Sequence, residues 1–164
     1  MIIINPICIS CQDLLKEYSE EEIKTIVSSF SCPREPFIED FVQQKCIHAE
    51  KMGNTRSYFI FDADDFALLG YYALTLKILH LKKISKKKAK ALHLPDNVNQ
   101  SLPTYYIGLL AKNETYKDQI EGKYILENAL DIIETAADYV GGRVIWLEAK
   151  KCNQGVMNLS LIHI

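Results

Sequence analysis

The stretch Leu110-Ala-Lys-Asn-Glu-Thr-Tyr-Lys-Asp-Gln-Ile-Glu-Gly-Lys-Tyr-Ile-Leu126 holds the residues whose order most readily does chemistry. It reads as a strand end, a short charged loop with one glycine, and the start of a long helix. Such a turn aims unpaired backbone N–H groups and the positive end of the helix dipole at one point, where a pyrophosphate binds well. Lys117 and Lys123 bracket the loop and can add charge. Any strand-loop-helix unit has such a helix start, so these residues alone leave open a phosphate site or an ordinary helix entry.

A second feature is the run Lys82, Lys83, Lys86, Lys87, Lys88 and Lys90. It reads either as a solvated loop or helix, or as a patch facing phosphates. The cysteines, at positions 8, 11, 32, 46 and 152, are odd in number and scattered. Cys8-Ile-Ser-Cys11 is a CxxC, but no second pair completes a four-ligand zinc site. Reduced structural thiols and no metal are therefore expected. His48, His80 and His93 read as surface or core residues. The tyrosines at 58, 71, 72, 105 and 106 read as strand packing, with Tyr105 or Tyr106 as candidates to line an acceptor cleft. The Asn-x-Ser/Thr triplets at Asn99, Asn113 and Asn158 carry no meaning in a cytosolic protein.

These residues need elements to hold them. The apolar start, Met1-Ile-Ile-Ile-Asn-Pro-Ile-Cys8, reads as a first strand cut short by Pro6. Ser19-Glu-Glu-Glu22 is a capping box opening a helix to about Phe30. A second helix is expected from about Phe37 to Met52, with Ile38, Phe41, Val42, Cys46 and Ala49 on one face and Gly53 as its C-cap. Residues 57–62 and 67–79 read as a hairpin turning at 63–66. A polar segment over 80–103 precedes a strand over 104–111. A helix from Gly122 to Val140 carries Ile125, Leu126, Ala129, Leu130, Ile133, Ala136 and Ala137 on its apolar stripe, and Gly141-Gly142 stops it. Arg143-Val-Ile-Trp-Leu-Glu148 is a buried-looking strand. The crossover helix makes the last two strands parallel.

Composition bounds the rest. The chain has 164 residues, 48% of them hydrophobic, enough for one domain and its core. Its 19 basic and 21 acidic residues leave a net charge of -2, which excludes a generally cationic nucleic-acid coat but not a local patch. No apolar run approaches the ~20 residues of a membrane span, and the start has no cationic leader, so a cytoplasmic protein is expected.

Three further strings join the loop described above. They are Glu50-Lys-Met-Gly-Asn-Thr-Arg-Ser-Tyr-Phe-Ile-Phe-Asp62, Leu69-Gly-Tyr-Tyr-Ala-Leu-Thr-Leu76 and Gly141-Gly-Arg-Val-Ile-Trp-Leu-Glu-Ala-Lys-Lys-Cys-Asn153. In this order they resemble the GNAT superfamily of acetyl-coenzyme A-dependent N-acetyltransferases, in particular its small Gram-positive and toxin-like branch, over residues 14–158. The resemblance implies an α/β (α+β) fold, a GNAT-like mixed β-sheet flanked by helices, as one domain over residues 1–164. The family's pyrophosphate motif, Arg/Gln-x-x-Gly-x-Gly/Ala, aligns with Lys117 first, Ile120 at the middle glycine and Gly122 last. Ile125 and Leu126 then take the apolar pair. A second alignment starts at Gln119 with Gly122 in the middle and puts Glu127 at an apolar position.

By that resemblance, backbone groups of Leu110, Ala111 and Lys112 pair with the pantetheine arm of acetyl-CoA. Amides of Lys117, Asp118, Gln119, Ile120, Glu121, Gly122 and Lys123 hold the pyrophosphate, and Asn153 makes the family's asparagine contact. The strands ending at Ala111 and Glu148 are expected to splay for the acyl chain. The tyrosine that protonates the leaving thiolate belongs on a helix after the last strand, near Leu159-Ser160, where no tyrosine stands. The family continues past this point through another helix and a hairpin strand, whereas the chain ends at Ile164. Glu148 and Glu114 are candidate bases, and no catalytic residue is assigned. The implied activity is acetyl transfer to a primary amine of a small molecule or peptide. One alternative is a toxin-type enzyme acting on aminoacyl-tRNA through Lys82–Lys90; another is a degenerate scaffold used for protein contacts. A homodimer is left open.

Overall fold

Pro6 opens the first strand rather than ending it. The computed structural model describes residues 4–94, 101–150 and 157–163, and strand β1 spans Pro6–Ser10. β1 is an edge strand, and proline's missing N–H is tolerated at its first position. Ser10 then caps α1, Cys11–Glu17, accepting from the Asp13 N–H at 3.1 Å. The sequence reading missed this short helix. The capping box is present as expected: the Ser19 N–H donates to Glu22 at 2.8 Å, and the Glu22 N–H donates to the Ser19 hydroxyl at 3.3 Å. The helix it opens, α2, ends sooner than expected, spanning Glu20–Val27.

The second expected helix is three consecutive pieces. α3, Pro36–Asp40, begins with proline at its first turn. A π-helical turn, Phe41–Lys45, leads into α4, Cys46–Lys51. Gly53 follows at φ +72°, the left-handed conformation of a C-cap glycine. At the end of α4, buried Glu50 accepts from the Ser57 N–H and from Arg56, both at 2.8 Å. The Ser57 hydroxyl pairs with the Tyr71 hydroxyl at 2.8 Å.

β2, Arg56–Asp62, and β3, Leu68–His80, form the expected antiparallel hairpin, with Phe59 opposite Tyr71. The expected polar segment contains one turn of 3₁₀ helix and α5, Lys86–Ala91, capped by Ser85. β4 spans Ser101–Lys112, and α6 spans Gly122–Val140, matching the expected helix end to end. β5, Val144–Lys150, runs parallel to β4, with Tyr105, Tyr106 and Ile107 opposite Ile145, Trp146 and Leu147. β6, Met157–His163, returns antiparallel to β5. The sheet is mixed, in the order β1-β2-β3-β4-β5-β6.

The chain divides into two compact units, residues 1–74 with 109–131 and residues 75–108 with 132–164; β3, β4 and α6 each contribute to both. In the first, Leu14, Ile23, Val27, Phe30, Val42, Phe59, Phe61 and Tyr71 form the apolar core. Ile125 and Ala129 of α6 are buried, as the stripe requires. Gly70 permits the close approach of α6 here, since a Cβ on it would stand 2.6 Å from the Ile125 methyl. In the second unit, Gly142 at φ +110° lies against Tyr105, whose ring would be 2.6 Å from an added Cβ. No helix among the described residues is long and apolar enough to cross a membrane.

Candidate functional site

The loop between β4 and α6 is fixed by a residue that the sequence reading set aside. Asn113, fully buried, spends its side chain on four backbone groups. Its Oδ1 accepts from the N–H groups of Ser31 at 3.1 Å and Thr115 at 3.2 Å. Its Nδ2 donates to the carbonyls of Ser29 at 3.0 Å and Leu68 at 2.8 Å. Its own N–H donates to Leu69, and the Glu114 N–H donates to Ser31, both at 2.8 Å. The sequence contained half of this: an asparagine just after a strand favours an Asx turn. The partners across the fold were not readable.

From that anchor the chain makes a single 3₁₀ turn, Glu114–Tyr116, and reaches α6. The Lys112 ammonium donates to the Lys117 carbonyl at 2.7 Å, bracing the turn from β4. The Lys117 ammonium donates to Glu114 at 2.6 Å. That hydrogen bond, with the charges of Lys117, Arg34 and Lys112, holds the Glu114 carboxyl below its ordinary range. A carboxylate so stabilised is a weaker base than an unperturbed one. Glu148, the other candidate base, stands on β5 opposite Leu159.

Ile120, aligned with the motif's middle glycine, is 4% exposed and lies outside the left-handed region. Isoleucine fits there because the backbone asks for no glycine. Gly122 is likewise outside that region, and a Cβ on it would meet nothing within 4 Å. The helix start is therefore open at the position aligned last in the motif, and its first N–H groups have no partner within the helix. Beside it a cleft of about 360 Å³ is lined by Gln119, Ile120, Glu121, Lys123, Tyr124 and Pro6, among others. The Tyr124 hydroxyl donates to the Pro6 carbonyl at 3.2 Å and so ties the first turn of α6 to β1. Asp118 is exposed on the turn, and Leu110 and Ala111 are half-buried at the end of β4. Asn153 lies outside the described residues.

Charge near this loop is mixed. Lys112, Lys117, Lys123 and Arg34 are offset by Glu114, Asp118, Glu121 and Glu127, and Lys123 stands 3.6 Å from Glu127. Attraction for an anion here rests on oriented backbone amides more than on net side-chain charge.

Among the described residues, Cys11, Cys32 and Cys46 are buried and behave as core residues, whereas Cys8 is exposed. Cys11 and Cys46 are buried, and burial pushes both thiols up to about 12. Cys8, the exposed half of the CxxC, lies 3.3 Å from the Tyr72 hydroxyl, and its thiol is also raised by desolvation. Tyr105 packs against Gly142, and Tyr106 lies against Trp146. Lys82, Lys86, Lys87, Lys88 and Lys90 are all exposed.

No family model matches the sequence, and no curated protein matches it. Solved structures do match. AtaT complexed with acetyl-methionyl-tRNAfMet has a TM-score of 0.69 at 18% identity, covering 90% of this chain and 80% of that one. A tyrosine-to-phenylalanine variant of KacT has a TM-score of 0.69 at 18% identity, covering 95% and 94%. An AtaT variant toxin bound to the C-terminus of the antitoxin AtaR and acetyl-CoA has a TM-score of 0.63 at 16% identity, covering 90% and 77%. The chain has the GNAT fold.

The GNAT resemblance placed a helix after the last strand, with Leu159-Ser160 at the tyrosine position. That expectation is overturned: both residues lie in strand β6, opposite Glu148 and Leu147 of β5. The alternation Met157-Asn-Leu-Ser-Leu161 suits a strand with one apolar face. The backbone at 159 and 160 is therefore placed by strand register and not by a helix.

Proposed function

We propose that the chain is an acetyl-CoA-dependent N-acetyltransferase whose acceptor is the α-amino group of an aminoacyl-tRNA. The observation that carries the reading is the β4–α6 loop, locked by Asn113 and ending in an open helix start at Gly122, on the GNAT fold. Backbone groups of Leu110, Ala111 and Lys112 and amides from Lys117 to Lys123 would hold acetyl-CoA. The open first turn at Gly122 fits a pyrophosphate. When bound, acetyl-CoA supplies an acetyl group activated as a thioester.

The protein's remaining task is to present an uncharged amine. An α-amine has a pKa of ~7.7–8.0, so roughly a tenth is neutral at pH 7; a lysine-like amine at ~10.4 is neutral about four times in ten thousand. An α-amino acceptor therefore asks little of a general base. That suits a site where Glu114 is held ionised by Lys117. The exposed lysines of α5 and its flanks supply a surface for phosphates. AtaT, a protein of the same fold, has been captured with acetyl-methionyl-tRNA, which supports the same acceptor class here.

The net charge of -2 favours the second reading, a small or peptide amine. Transfer of labelled acetyl from acetyl-CoA to aminoacyl-tRNA and to small amines separates the two. For the tRNA substrate, affinity should fall on the order of a hundredfold between about 50 and 200 mM salt if four phosphates are neutralised. Reversing Lys86, Lys87, Lys88 and Lys90 to glutamate should remove tRNA binding and leave acetyl-CoA affinity alone. Salt-independent transfer to a small amine, unchanged in that variant, would refute the tRNA reading.

A further inference from the structure

Residues 28–35 connect α2 to α3 without forming a regular element, yet they are tied down from three sides. The Gln43 amide, in the π-helical turn, donates to the Phe30 carbonyl at 2.7 Å. Glu39, on α3, accepts from the Cys32 N–H at 2.6 Å and from the Ser31 hydroxyl at 3.4 Å. Asn113 and the Glu114 N–H hold Ser29 and Ser31 against the β4–α6 loop. The segment then closes a β-turn, Cys32-Pro-Arg-Glu35, in which the Glu35 N–H donates to the Cys32 carbonyl at 3.0 Å. Pro33 stands at its second position, where the fixed φ of proline pre-sets the turn. Arg34, at the third, is exposed. A side chain carried on so fixed a turn needs little further ordering of its backbone to hold a guest. Its charge reaches the β4–α6 loop, being one of the three cations, with Lys117 and Lys112, that hold Glu114 ionised. The other two ammonium groups are engaged, Lys117 with Glu114 and Lys112 with the Lys117 carbonyl. Arg34 makes no hydrogen bond or ion pair among the described residues. A guanidinium is a planar fork of five N–H donors that matches a phosphate two bonds at a time.

We propose that Arg34 is a coenzyme-binding residue, its guanidinium taking a phosphate of acetyl-CoA beside the β4–α6 loop. It adds a bidentate side-chain contact to the backbone amides of that loop. The inference rests on the function proposed above, which sets the phosphates of the coenzyme at this loop. Every residue it uses lies within the first compact unit.

Calorimetric titration with acetyl-CoA, and with acetyl-dephospho-CoA, which lacks the 3′-phosphate, provides the test. Arg34→Gln deletes the charge, and affinity for acetyl-CoA should fall about tenfold or more, as for loss of a charge-assisted pair. Tm should hold, because the side chain is exposed. Arg34→Lys restores the charge without the fork and should recover part of the affinity. A loss confined to acetyl-CoA assigns the contact to the 3′-phosphate; equal losses for both donors assign it to the pyrophosphate. Wild-type affinity of Arg34→Gln for both donors overturns the proposal and leaves the proposed function standing. A weakened variant with a lowered Tm and no recovery in Arg34→Lys marks a structural role and overturns it too. So does intact acetyl-CoA affinity with a raised KM for aminoacyl-tRNA, since the phosphate would then be the RNA's. Failure of the wild-type chain to bind acetyl-CoA removes the proposed function and this inference together.

Discussion

Replacing Asn113 by alanine tests whether the helix start is held from a distance. The substitution strips partners from two N–H groups, of Ser31 and Thr115, and two carbonyls, of Ser29 and Leu68. A buried polar group left unpaired costs about 1–3 kcal/mol. The Leu68 contact is fully buried and the other three are partly so, which puts them near the low end. Together they come to about 4 kcal/mol, a large part of a domain stability of about 5–15 kcal/mol. For a chain of this size each kcal/mol moves Tm by about 2–4 °C, so a fall of about 8–16 °C is expected. Scanning calorimetry measures it, and titration with acetyl-CoA of the folded variant should show weakened binding. Asn113→Asp should fare no better at pH 7, because it sets a carboxylate against the carbonyls of Ser29 and Leu68. Burial and those carbonyls raise that carboxyl's pKa in the folded state, so the Asp variant loses stability relative to wild type as pH rises through it. A loss below about 1 kcal/mol for Asn113→Ala, with acetyl-CoA binding intact, would refute the reasoning.

Gly122→Glu enters open space, so Tm should hold within a few degrees while the added negative charge abolishes the calorimetric signal of acetyl-CoA. Gly70→Ala forces a Cβ to 2.6 Å from the Ile125 methyl and 3.3 Å from the Ala111 carbonyl; overpacking of about 1–3 kcal/mol should appear in urea unfolding. The raised thiols of Cys11 and Cys46 stabilise the fold fully below their ordinary value of 9.0, and that contribution declines as pH climbs towards about 12. In native protein at pH 8 both should resist a thiol reagent that modifies them at once in denaturant; rapid native labelling would contradict their placement.

What could be read in the sequence was what local pattern encodes. The stripe of Ile125, Ala129 and Ile133, closed by Gly141-Gly142, defined α6 to the residue, and Ser19/Glu22 fixed the start of α2. α1 escaped because seven residues with only Cys11 and Leu14 turned inward carry almost no period. At β6 the reading followed the family resemblance, which argued for a helix there. Asn113 was out of reach for a different reason. Its side-chain partners at Ser29, Ser31 and Leu68 lie 84, 82 and 45 residues away, and no local rule ranks such pairs.

The π-helical turn at Phe41–Lys45 can be read as a frozen insertion. Cys46 donates its N–H to Phe41, five residues back, so this turn holds one residue more than an α-helix needs. One α-helical residue is about 100° of rotation. Deleting a residue between positions 41 and 45 would restore a regular helix and swing everything after it by about that angle. Ile47 and Glu50 would leave the core side of α4, and Glu50 would be carried away from Arg56 and the Ser57 N–H. The extra residue thus acts as a phase shifter: it sets which way the second half of the helix faces, and a one-codon change there would undo more than most point substitutions on its surface.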